Sequence, residues 1–133
     1  EIKDEFKQME GDPLVKSMRR RFGQKILQKK RLDHAVLASE VVVVNPTHYA
    51  VALRYEQEAD EAPKVMAKGR NERALRIKEM AKHYDIPIVE NPPLARALYA
   101  AAEEDQYIPP EMYEAVAELL AYLYKLKEEG RAA

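Results

Sequence analysis

The sequence predicts an α/β fold, a small mixed four-stranded sheet covered by helices and preceded by an N-terminal helical arm. Three observations lead there. Short apolar and β-branched runs stand at 41–44, 49–55, 64–68 and 86–89, with the length and composition of strands. Between and after them, apolar residues recur three and four apart, as on one face of a helix. Asn91-Pro92-Pro93 and Pro109-Pro110 precede two of those helical stretches, and a proline at the first helical position loses no hydrogen bond. Strands interspersed with helices define the class.

The arm covers residues 1–34 and a compact domain covers 35–133. In the arm, Met18, Phe22 and Ile26 recur every four residues, a narrower stripe than most core helices show. Glu10-Gly11-Asp12-Pro13 interrupts it. Residues 41–44, four valines, read as a central strand apolar on both faces. The second strand, 49–55, places Val51 and Leu53 on one face. Residues 56–61 read as an acidic, solvated loop. The third strand, KVMAK, ends at Gly69, and Asn71 is a candidate cap for a helix with Ile77, Met80, Ala81 and Tyr84 along one stripe. After the fourth strand, Leu94, Ala97, Leu98 and Ala101 form the buried stripe of one helix, and Met112, Val116, Leu119, Leu120 and Leu123 line the face of the last.

Composition narrows the chemistry. The 133 residues suffice for one modest domain, and 47% apolar with 34% charged residues is globular. Without cysteine there is no disulfide or thiolate metal site. His34, His48 and His83 have no ligand spacing, so no metal site is expected. The longest apolar runs fall far short of a membrane span. The chain opens on Glu1 rather than Met, and a piece of a longer protein is expected. Net charge is −1, yet eight Lys or Arg and no acid lie between Lys16 and Arg31. Such a block is a solvated helix face, a nucleic-acid contact, or a cytoplasmic segment beside a membrane.

The candidate chemistry lies in the break between the first two strands, Asn45-Pro46-Thr47-His48. The usual attack on an asparagine side chain comes from the following backbone nitrogen, and proline has no N–H to make it. The reverse attack remains. The Asn45 amide nitrogen attacks Asn45's own backbone carbonyl carbon, a succinimide closes, and the bond to Pro46 breaks. A tight turn holds the side chain ready for attack. An i to i+3 hydrogen bond from the His48 N–H to the Asn45 carbonyl polarises the reacting carbon. The His48 imidazole can carry a proton, and the Thr47 hydroxyl can add a local hydrogen bond. Thr47 also disfavours positive φ, so the expected turn is type I. Asn-Pro alone is a common turn opener; four such residues between two strands are more specific.

The motif and its surroundings resemble the FlhB/YscU family, switch proteins of bacterial flagellar and type III secretion export. The resemblance runs through Asn45-Pro46-Thr47-His48 and YAVALRY, then APKVMAKG, ENPPLARALY and IPPEMYEAVAELLAYLYKL. The later segments look more like the flagellar branch than the injectisome branch. The resemblance implies cleavage between Asn45 and Pro46 with Asn45, Pro46, Thr47 and His48 as the site, without cofactor or protease and as a single event rather than enzymatic turnover. It implies transmembrane helices before Glu1, a place on the cytoplasmic face of the bacterial inner membrane, and a part in switching export specificity. The basic arm then reads as a juxtamembrane linker. Implied partners are other export-apparatus proteins, export substrates, a hook-length-control type protein and the chain's own cleaved fragment, with no nucleic acid. Docking is expected at Ala62 and Pro63 with Ala117 and Leu120, although Leu120 serves equally well as a core residue.

Two other readings come from the residues alone. A nucleic-acid-binding module would use the basic arm, but after residue 6 Phe22 is its only aromatic, and a stacking platform is missing. A hydrolase or transferase would need a phosphate loop, a nucleophile triad or a carboxylate pair, and no such motif is present.

Overall fold

The computed structural model describes residues 12–46 and 48–132. The chain divides into two units, one ending at Asp33 and the other beginning at His34. Helix α1 (Pro13–Leu37) begins where the sequence placed the interruption. The Asp12 carboxylate accepts the Leu14 N–H at 2.8 Å, and Pro13 follows as a first-turn proline. Met18, Phe22 and Ile26 are exposed on it. The part of the expected arm before Asp12 lies outside the described residues.

The second unit is a four-stranded mixed sheet in the order β3-β2-β1-β4, with helices on both faces, as the sequence predicts. Its strands are β1 (Val41–Asn45), β2 (Tyr49–Arg54), β3 (Lys64–Arg70) and β4 (Ile88–Glu90). β1 pairs antiparallel with β2 and parallel with β4, so the valine run is central and buried on both faces. Helix α2 (Glu72–His83) covers one face. Helix α3 (Pro92–Ala101), a short 3-10 turn (Pro110–Met112) and helix α4 (Tyr113–Ala132) follow. Leu94, Leu98, Ile108, Met112 and Val116 from this region pack with Val41, Val43, Val51, Leu53 and Val65 as the core.

A register shift between Ala52 and Leu53 explains how β3 serves both faces. Val65 lies opposite Leu53 and Ala67 lies opposite Ala52, with Met66 as the extra residue. Paired residues share a face. Val65 therefore joins the α3 side, while Ala67 and Gly69 turn towards α2. Small side chains at Ala50, Ala52, Ala67 and Ala74, with Gly69, let α2 approach the sheet closely. The outer edge of β3 is covered by the segment after α3, where Val65 donates to Gln106 and Ile108 donates to Pro63.

Several local expectations change. Ala97 and Ala101, expected in the buried stripe of α3, are exposed, and Ala95 is buried beside Leu94 and Leu98 instead. Asn71 stands at the N-cap position of α2, but its side chain makes no cap hydrogen bond, and its φ is 55°. A left-handed backbone turns the side chain away from the first-turn amides. The 56–61 loop is also not wholly solvated, because Asp60 is buried. Both of its oxygens bind the Arg54 guanidinium, at 2.8 and 3.0 Å, and one also accepts the Glu56 N–H at 3.0 Å. The Arg54 hydrogen bonds hold the Asp60 carboxyl below its ordinary pKa, against the opposing effect of burial.

Asp60→Asn keeps the shape and removes the charge, and should destabilise the domain by roughly 1–3 kcal/mol at neutral pH. A lowered folded-state pKa means that the contribution is complete above the ordinary value of 3.8 and is lost as pH falls through the folded pKa. Urea midpoints of the two proteins should therefore differ at neutral pH and converge in acid. A gap of constant size at every pH would show that the Asp60 charge contributes nothing.

Candidate functional site

β1 ends at Asn45 and β2 begins at Tyr49, and these two residues pair across the hairpin. Only 46–48 remain to make the turn. The His48 N–H donates to the Asn45 carbonyl oxygen at 3.0 Å. This is the i to i+3 bond expected from the sequence. Asn45 is half-buried, whereas Pro46 and His48 are exposed. Strand alternation puts the Asn45 side chain on the Val43 face, the face covered by α3. Thr47, and with it the turn type, lies outside the described residues.

Backbone bonds from two other elements grip the hairpin on either side of the turn. The Asn91 N–H donates to the Val44 carbonyl at 3.0 Å, and the Asn71 N–H donates to the His48 carbonyl at 3.0 Å. Asn91 is held in place as the N-cap of α3, its side chain accepting the Leu94 N–H at 3.3 Å. The first residue of β2 is fixed by aromatic packing. The Tyr49 and Tyr99 ring centroids are 4.7 Å apart. The Lys68 ammonium sits 4.6 Å from the Tyr99 ring centre and donates to the Tyr99 carbonyl at 2.9 Å. It also pairs with Glu103 at 3.2 Å. A cation over an aromatic face adds to the packing of the ring pair. The His48 ring meets Tyr49 edge-on at 6.3 Å.

Chemically, the turn presents a carbonyl carbon with a donor already on its oxygen, an amide side chain on the same residue, and a leaving nitrogen that carries no hydrogen. Among the described residues there is no cluster of three or more His, Cys, Asp or Glu able to hold a metal ion.

The expected docking residues come together elsewhere in the domain. Ala62, Pro63, Ala117 and Leu120 line one groove of about 290 Å³, with Tyr55, Tyr113 and Tyr124 and also Glu61 and Ala121 on its wall. Ala117 is exposed, while Ala62, Pro63 and Leu120 are buried, and Leu120 also belongs to the core. Tyr124 donates to Glu40 at 2.6 Å. Burial, then that hydrogen bond, pushes its phenol up to about 12. The sequence reading missed the three tyrosines. Tyr113, Ala117, Leu120 and Tyr124 do recur at helical spacing, so a second stripe on α4 was there to be found. Lys68 and Tyr99 carry no local signal, because they meet only through the fold.

The FlhB HrpN YscU SpaS Family model matches residues 1–123. The chain belongs to that family. It is 46% identical over 129 residues to a flagellar biosynthetic protein FlhB of Bacillus subtilis, covering 97% of this chain and 36% of the relative. It is 51% identical over 131 residues to that of Yersinia enterocolitica, covering 98% and 34%. The chain thus spans about a third of the length of these curated relatives. Among solved structures, the cytoplasmic domain of FlhB from Shewanella putrefaciens matches with a TM-score of 0.74 and 42% identity, covering 78% of this chain and 80% of that one. A mutated EscU C-terminal domain matches with a TM-score of 0.67 and 38% identity, covering 68% and 91%.

Proposed function

We propose that this chain is the export-switch domain of a flagellar protein-export component and that it cleaves itself once, between Asn45 and Pro46, by asparagine cyclisation. The hydrogen bond from the His48 N–H to the Asn45 carbonyl oxygen, 3.0 Å long, carries the reading. As the Asn45 amide nitrogen attacks, negative charge grows on that oxygen, and a donor already aimed at it lowers the barrier. Each tenfold acceleration corresponds to about 1.4 kcal/mol. The new bond joins the side-chain nitrogen to the backbone carbon, and the bond to the Pro46 nitrogen breaks. A proton passes from the amide to Pro46, which leaves as a secondary amine. The His48 imidazole serves as the proton carrier, and Thr47 supplies a further hydrogen bond to the turn. No cofactor takes part.

The names of the relatives support the wider setting. The domain lies on the cytoplasmic face of the bacterial inner membrane, tethered through the basic arm as a juxtamembrane linker. It works with other export-apparatus proteins and a hook-length-control type protein, and it changes which export substrates are accepted. Those substrates dock in the groove formed by Ala62, Pro63, Ala117 and Leu120. An apolar hollow rimmed by tyrosines suits a short amphipathic segment.

Denaturing electrophoresis of the purified chain tests the cleavage. Pieces of about 5 and about 10 kDa are expected from the position of the bond. Asn45→Ala should give one band, and two bands from it would assign the cut to a contaminating protease. His48→Ala keeps the backbone donor and loses the imidazole, so cleavage should slow without stopping.

Docking has its own test. Ala117→Asp adds a charge to the exposed wall of the groove, and binding of early export substrates should weaken about tenfold or more while circular dichroism stays unchanged. Undiminished binding places the site elsewhere.

A further inference from the structure

We propose that the corner between β3 and α2 is a second half of the cleavage geometry, with Asn71 as its positioning residue. This rests on the self-cleavage reading above.

His48 is held from both sides. Its N–H reaches the Asn45 carbonyl at 3.0 Å, and its own carbonyl accepts the Asn71 N–H at 3.0 Å. The direction of the His48 N–H depends on the torsions of His48. With its carbonyl fixed by Asn71, that N–H stays aimed at the oxygen where charge develops.

Asn71 makes this bond from a costly backbone. Its φ is 55° and its ψ is −120°, a combination usual for the first central residue of a type II′ turn, where glycine dominates. A residue with a Cβ stays there only when its surroundings enforce it. Asparagine tolerates positive φ better than most, and the side chain does no capping in return. The surroundings that enforce it are visible. The Asn71 carbonyl accepts the Leu75 N–H at 3.1 Å and so starts α2. A Cβ at Gly69 would stand 2.6 Å from Arg73 Cγ and 3.0 Å from its backbone carbonyl carbon, so the missing side chain lets the first turn of α2 settle on β3. Arg73 then donates to the Lys68 carbonyl at 2.9 Å and to Glu104 at 2.7 Å. Tied from both sides, the corner keeps the Asn71 N–H pointed at the turn.

The test compares cleavage rates of the purified chain with melting midpoints. Asn71→Val keeps the N–H but cannot hold the left-handed backbone, and cleavage should slow by about tenfold to a hundredfold. Asn71→Gly accepts that backbone freely and should recover most of the rate. A remote cavity, Val116→Ala, should lower the midpoint and leave the rate unchanged. If Asn71→Val does not fold, Asn71→Ala, whose Cβ still opposes positive φ, replaces it. A folded Asn71→Val cutting at the wild-type rate overturns the proposal. So does equal slowing by Asn71→Gly or by Val116→Ala, because stability rather than aim would then set the rate. Asn45→Ala, run alongside, separates the two claims. If that variant is still cut, the self-cleavage reading fails whatever Asn71 does.

Discussion

β1 is hydrogen-bonded along both edges, to β2 on one side and β4 on the other, and its four valines are buried between helices on both faces. Full burial of a valine contributes roughly 1.5–3 kcal/mol, so the strand contributes roughly 6–12 as an upper bound. That anchorage holds the two ends of the hairpin, Asn45 and Tyr49, in fixed register. A hairpin rooted in an edge strand would breathe, and the distance from the His48 N–H to the Asn45 oxygen would vary with it. Here the strand cannot shift without exposing its valines, so Asn45 inherits the stiffness of the core.

The same anchorage shapes what the proposed self-cleavage would achieve. With the chain cut after Asn45, the valines remain in the middle of the sheet at the end of the shorter piece. Even the lower half of their contribution, with the ladder's hydrogen bonds added, approaches the roughly 8 kcal/mol of a micromolar complex. Two pieces formed by that cut should therefore stay together. The grips from Asn91 on Val44 and from Asn71 on His48 lie on either side of the Asn45–Pro46 bond and do not depend on it. On the proposed reading, the switch is a small change of surface at one end of a persistent sheet. The groove on α4 keeps its lining residues through the cut.

Much of this was legible in the sequence, and the exceptions share a cause. The valine run, the alternation in β2, the proline-opened helices and the hairpin bond all follow from local pattern, and the structure contains each. β3 was read two residues short because Gly69 and Arg70 resemble a strand exit; Gly69 is in fact where α2 packs. Met66, the extra residue at the register shift, looks like any strand residue. Asp60 was hidden in an acidic stretch, since its pairing with Arg54 depends on how the loop folds back. Asn71 was misread because asparagine suits both an N-cap and a left-handed position, and only the backbone distinguishes them. The groove was half read: four of its lining residues came from the family resemblance, while Tyr113 and Tyr124 lay on a second face of α4 and Tyr55 just beyond β2.

Cyclisation differs from hydrolysis by one molecule of water, which makes intact mass the most direct measurement. When an asparagine closes on its own carbonyl, nothing is added, and the fragment ending at Asn45 carries a C-terminal succinimide. The masses of the two freshly formed fragments should then sum to the mass of the uncut chain. The shorter fragment should gain one water only later, as the succinimide opens. Freshly formed fragments whose masses already exceed the uncut chain by one water would contradict cyclisation and point to hydrolysis of the Asn45–Pro46 bond.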